Sequence, residues 1–152
     1  MKALKINSVN IISSIAILLA IALSLFLYKI TNRRNVERSA SDYSISSQNL
    51  VKEFLNDYEA SNQKYLADNG ESSILTITGK VHSIAKDGDG KTVVLLKEKG
   101  EEAGVSCTFD SEPELSENPD KLAIKGEIHL GAQFDKDLKA YEDAILEHCT
   151  LE

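Results

Sequence analysis

The sequence predicts a mainly β fold: a small, coiled, five-stranded barrel preceded by one amphipathic α-helix, with an N-terminal transmembrane helix ahead of both. Three observations predict it. Residues 75–82 and 122–129, 47 positions apart, both read L-x-I-x-G-x-(V/I)-H. That alternation, with a period of two, is the mark of a half-buried strand. Leu50, Val51, Phe54, Leu55, Tyr58, Tyr65 and Leu66 recur near helical spacing and form one apolar stripe. Ile6 to Tyr28 is a run of 23 uncharged residues, about 34 Å as a helix and so enough to cross a ~30 Å hydrocarbon core.

The chain divides accordingly into a tail (1–5), an anchor (6–28), a basic juxtamembrane segment with a spacer (29–47) and a folded domain (48–152). Small residues at Ala22 and Ser24 would suit signal cleavage, but the apolar run continues through Leu25, Phe26, Leu27 and Tyr28. A signal-peptide core normally spans about 7–15 residues, so an uncleaved anchor is expected. Residues 35–47, rich in Ser, Asn and Asp, read as a flexible spacer. Ser46 or Ser47 should then cap a helix running to about Ala67, which Asn69-Gly70 ends.

The first strand, residues 75–84, leads to a tight turn at Lys86-Asp87-Gly88-Asp89-Gly90-Lys91. That turn lacks the D-x-D-x-D-G pattern and distant Glu of a calcium loop. The second strand, Thr92-Val93-Val94-Leu95-Leu96, is apolar almost throughout and is expected to be buried on both faces. The third, residues 104–109, puts Val105, Cys107 and Phe109 inward. An acidic loop, 110–120, holds both prolines and leads to the fourth strand, the near-copy of the first. Gly79 and Gly126, in the middle of the two copies, are read as structural glycines that mark bulges, bends or close backbone approaches. Phe134, Leu138, Tyr141 and Ile145 would also fit a helix, but a loop or turn to about Glu142 and a fifth strand over 145–151 fit better.

Charge bounds the function. Residues 1–38 carry six Lys/Arg against Glu37, whereas residues 39–152 carry 11 basic and 23 acidic side chains, a net −12. Phosphate contacts supply most non-specific nucleic-acid affinity, so a domain of this charge argues against nucleic acid as its partner. There is no G-x-S-x-G, no H-E-x-x-H and no phosphate-cradling glycine loop. No catalytic residue, cofactor or metal ligand is therefore expected. His82 and His129 occupy matching positions, but both fall on the polar phase. If the two copies pair antiparallel with Gly79 opposite Gly126, the two histidines stand about 20 Å apart. Cys107 and Cys149 are the only cysteines; an even count permits one disulfide, with two buried free thiols as the alternative.

A helix, then strand, glycine turn, two strands, a Pro-containing loop, strand, loop and strand is the order of a small OB-like barrel. Ile77-Thr78-Gly79-Lys80-Val81, Val94-Leu95-Leu96, Val105-Ser106-Cys107-Thr108-Phe109, Leu122-Ala123-Ile124-Lys125-Gly126 and His148-Cys149-Thr150-Leu151 together resemble the tRNA_anti-like family over residues 48–152. These are small bacterial OB-fold proteins with a hydrophobic N-terminal segment. Where the family often has a cysteine two residues after the second glycine, this chain has Ile128. The resemblance implies the strand order 1-2-3-5-4-1. It thereby places Cys107 beside Cys149, in reach of a disulfide closing a 43-residue interval, worth roughly 4 kcal/mol in the chain-entropy model. The family label implies binding of single-stranded nucleic acid or tRNA, against which the charge and the absence of Trp weigh.

Orientation divides the indicators. Lys29, Arg33, Arg34 and Arg38 outnumber Lys2 and Lys5, which by the positive-inside rule favours a cytoplasmic domain. The cysteines and the resemblance favour export, with the basic cluster at the outer leaflet as a stop-transfer flank or a contact for anionic head groups. The expectation is a single-pass protein of the cytoplasmic membrane with an extracytoplasmic binding domain. Its ligand would be a protein, a peptide or a small molecule.

Overall fold

The computed structural model describes residues 17–24, 35–66, 72–117 and 119–152. Two compact units are present, residues 1–34 and 35–152. Of the first, residues 17–24 form helix with their side chains exposed, and the rest of the expected anchor at 6–28 lies outside the described residues. Among the described residues no helix is long and apolar enough to cross a membrane.

The second unit is a closed barrel. In chain order its elements are β1 (Tyr43–Ser46), α1 (Ser47–Asn56), α2 (Tyr58–Tyr65), β2 (Ile74–Lys86), β3 (Thr92–Leu96), β4 (Val105–Phe109), β5 (Lys121–Leu130), β6 (Gln133–Asp135), β7 (Ala140–Glu142) and β8 (Ala144–Leu151). Strands run β1-β2-β3-β4-β8-β5, and β2 pairs again with β5 to close the ring. The five expected strands thus stand in the expected order, with β4 parallel to β8 and the other barrel pairs antiparallel.

Three sequence expectations change. Residues 35–46 are not a loose spacer: Val36 is buried, and β1 adds in parallel to Leu75–Thr78. Asp42 fixes this edge, its carboxylate accepting from Ile74 N at 2.8 Å while its own N–H donates to Ile74 O at 2.7 Å. The single helix to Ala67 is two helices. Ser46 caps α1, accepting from Asn49 N, and Asp57 leaves helical geometry (φ −150°, ψ 89°) to cap α2, accepting from Ala60 N. An Asp in this position satisfies the free N–H groups of a new first turn better than it continues an old helix. The loop before the last strand contains a hairpin, β6–β7, forming its own two-stranded sheet.

The core is the barrel interior plus its helical plug. Leu75 and Ile77 from β2, Val94 and Leu96 from β3, and Val105, Cys107 and Phe109 from β4 point inward. They meet Ile124 and Ile128 from β5 and Leu146 and Cys149 from β8. Leu50, Val51, Phe54 and Tyr65 from the two helices join the same cluster. The repeated strands do pair, but not glycine to glycine: Gly79 faces Leu122 and Gly126 faces Leu75. Each glycine has its own reason. A Cβ on Gly79 would stand 2.4 Å from Ser47 Oγ, because the first residue of α1 sits on that backbone. A Cβ on Gly126 would stand 2.6 Å from Cys149 Sγ.

Candidate ligand-binding face

Inward residues of β3 and β4 are fully or nearly fully buried, so alternate residues form an outer face. Register assembles that face into rows. Ser83, Leu95, Ser106 and Ile145 lie side by side across β2, β3, β4 and β8, and Ile145 continues to Leu130 on β5. A second row runs Ala85, Val93 and Thr108. Every one of these side chains is half-buried or exposed, and none is charged. Val93 and Leu95 correct the expectation that β3 is buried on both faces; only Val94 and Leu96 reach the interior. In a domain of net −12, an uncharged field of aliphatic and hydroxyl groups is the local exception.

Charge gathers at the margins. Beside the start of β3, Lys91 Nζ lies 2.7 Å from Asp110 Oδ1, and His148 Nδ1 lies 2.5 Å from Asp110 Oδ2. Lys91 first, then His148, hold the Asp110 carboxyl below the usual carboxylate range against the opposing effect of burial. At the same end, a cleft of about 500 Å³ is lined by Ile84, Thr92, Pro113 and Leu115, with Lys86 and Glu112 among its walls. Lys86, Thr92 and Glu112 are mutually hydrogen-bonded, which leaves each of them satisfied without a ligand. Lys86 holds the Glu112 carboxyl low.

The β6–β7 hairpin stands at the opposite margin, where Leu130 pairs with Ile145. Phe134 and Tyr141 face each other across it with ring centroids 4.9 Å apart, and both are exposed. Leu138 at its turn is 71% exposed, the highest value among the large apolar side chains of the described residues. Asp135 fastens the turn by accepting from the N–H groups of Asp137 and Leu138. A hydrogen bond to the Glu102 carboxylate raises the Tyr141 phenol above its ordinary pKa, and Asp143 accepts from Gly104 N at 2.6 Å. The hairpin is thereby tied to the approach to β4.

The residues singled out in the sequence separate under this geometry. His82 and His129 are exposed, and the offset register sets them farther apart along the strands than a glycine-to-glycine pairing would. Cys107 and Cys149 come together in the core on the neighbouring strands β4 and β8. Burial, then the adjacent Cys107 thiol, push Cys149 well above the ordinary thiol pKa. Among the described residues no group of three His, Cys, Asp or Glu side chains is placed to hold a metal ion. The outer face was not visible as a site in the sequence; Ser106 and Thr108 on the polar phase of β4 were its one available signal.

No curated protein and no solved structure matches the chain. The family model tRNA_anti-like matches residues 1–138, which includes the N-terminal segment and stops before β7 and β8. The barrel order described above and that match over most of the sequence agree: the chain belongs to the tRNA_anti-like family.

Proposed function

We propose that this protein is a non-enzymatic OB-fold binding module, anchored in the cytoplasmic membrane of a bacterial cell with its barrel on the outer side. Its ligand is a protein, a peptide or a small molecule that presents a largely uncharged surface. The observation that carries this reading is the outer face of β3, β4 and β8, where Leu95, Ser106 and Ile145 lie in one uncharged row. Single-strand binding on an OB barrel relies on a basic groove beside stacking aromatics. Here Lys86 and Lys91, at one margin of that face, are already bound to Glu112 and Asp110. The 23-residue uncharged run supports the anchor, and the family match supports a binding rather than a catalytic role.

One observation favours a second reading, single-stranded nucleic acid or tRNA. The Phe134–Tyr141 pair is exposed, with Lys136 and Lys139 on the same hairpin, and could stack a base. Titration of a labelled single-stranded oligonucleotide at physiological salt decides between them. The first reading expects no saturation at micromolar protein. Micromolar binding that is lost in Phe134→Ala would establish the second. For the orientation, an alkaline-phosphatase fusion to the C-terminus should be active, and an inactive fusion would place the barrel in the cytoplasm.

A further inference from the structure

We propose that Cys107 and Cys149 are joined as a disulfide while the chain is still open, and that closure of the barrel then seals the bond away from solvent. The proposal stands on geometry inside the core and does not depend on the ligand reading. These are the chain's only two thiols, and the fold places both in one interior layer: Cys107 is fully buried and Cys149 is 3% exposed.

Strand β8 departs from regular geometry to achieve this. Ala144 and Leu146 point inward, so strict alternation would turn residue 148 in and Cys149 out. Instead the register with β5 slips between Glu127–Glu147 and Lys125–Thr150, and the register with β4 slips between Cys107 and Phe109. The extra residue is His148, held in the left-handed region at φ 55°, where a non-glycine residue is strained. The bulge carries Cys149 from the solvent side to the core side, next to Cys107. Gly126 completes the arrangement. Cys149 Sγ occupies the space a Cβ there would take, and the same sulfur is in contact with the Cys107 thiol.

Pairing joins the two sulfurs with loss of both thiol protons and two electrons. The electrons pass to an oxidant of the disulfide class, such as oxidised glutathione, whose own S–S bond breaks to give two thiols. The route runs through a mixed disulfide formed by an attacking thiolate. In the closed barrel neither sulfur is open to such a partner, and burial keeps Cys149 in its unreactive thiol form. Oxidation therefore belongs to the open chain.

The test uses the full chain in detergent. Reduced protein is unfolded in urea and refolded in a glutathione redox buffer. A second sample is first refolded with a phosphine reductant, then moved to the same buffer. Each is quenched with acid, denatured, treated with iodoacetamide and weighed. The first sample should be lighter by two hydrogens and carry no label, with its folding constant raised roughly a thousandfold over the reduced form. The second should keep two labelled thiols for hours. Two labelled thiols or disulfide-linked dimers in the first sample overturn the pairing. Pairing in the second sample as fast as in the first overturns its dependence on an open chain.

Discussion

Replacing Gly126 by Ala probes the fit between the repeated strand and the bulged one. In the reduced protein the new Cβ would stand 2.6 Å from Cys149 Sγ, 3.2 Å from Leu146 Cβ and 3.3 Å from Glu147 O. The last two are tight contacts on a paired strand; the first is an overlap of about 1 Å with a buried sulfur, which must move. Overpacking of this kind costs about 1–3 kcal/mol. Cys149→Ala alone removes one buried heavy atom and should cost about 1 kcal/mol. The double variant should not cost the sum, because the methyl added at position 126 takes the volume the sulfur leaves. Its stability should lie within about 0.5 kcal/mol of Cys149→Ala, a coupling of about 1–3 kcal/mol. Urea unfolding with reductant present, followed by far-ultraviolet circular dichroism, measures all three variants against the parent chain. Costs that add to within about 0.5 kcal/mol would show that the sulfur does not occupy the space over Gly126.

Two further predictions concern the ionic contacts. Glu53 Oε2 accepts from both Lys64 Nζ and the Tyr65 hydroxyl at 2.8 Å. Tyr65→Phe should therefore cost about 0.5–1.5 kcal/mol, and Glu53→Ala about 1–3 kcal/mol, because the second leaves a hydroxyl without its acceptor; the reverse order in urea unfolding would refute this. Below pH 4 stability should fall through Asp110, Glu112 and Glu53, whose carboxyls are lowered mainly by Lys91, Lys86 and Lys64 respectively. A lowered folded pKa gives stability that is whole above the unfolded values of about 3.9 and 4.3 and is lost as pH drops through the folded ones. Urea midpoints from pH 6 to 3 should decline less steeply in Lys91→Gln than in the parent, and equal slopes would count against the Asp110 contact.

How far the sequence could be read follows from what each element depends on. The repeated strands, the third strand and their inward residues were legible because alternation alone decides which face a strand buries, and Leu75, Ile77, Cys107 and Ile124 all lie where alternation puts them. Strand β1 was not, because four residues in a Ser- and Asp-rich segment carry too short a pattern; what fixes them is the long-range exchange between Asp42 and Ile74. The helix break was written in Asp57 but hidden under an apolar stripe that runs past it. The bulge at His148 was invisible, since a left-handed histidine has no local signature and only its partners on β4 and β5 reveal the slipped register. The outer face was concealed for a related reason: an all-apolar β3 looks the same whether its second face meets protein or solvent.

That last ambiguity bears on function. Val93 and Leu95 could have been covered by another layer of the same chain, and in most sheets with such strands they are. Here the helices plug one end of the barrel, with Ser47 against Gly79 and the Phe54 ring against Gly131, instead of lying over β3 and β4. At one margin the uncharged rows are bordered by the Lys86–Glu112 and Lys91–Asp110 pairs. A polyanion meeting this face would find Lys86 and Lys91 engaged and a net charge of −12 over residues 39–152. An uncharged surface would displace water from Val93, Leu95 and Ile145 without breaking an ion pair. If the barrel binds a ligand as proposed, the neutral face within an acidic domain is the feature that would favour an uncharged partner over a polyanion.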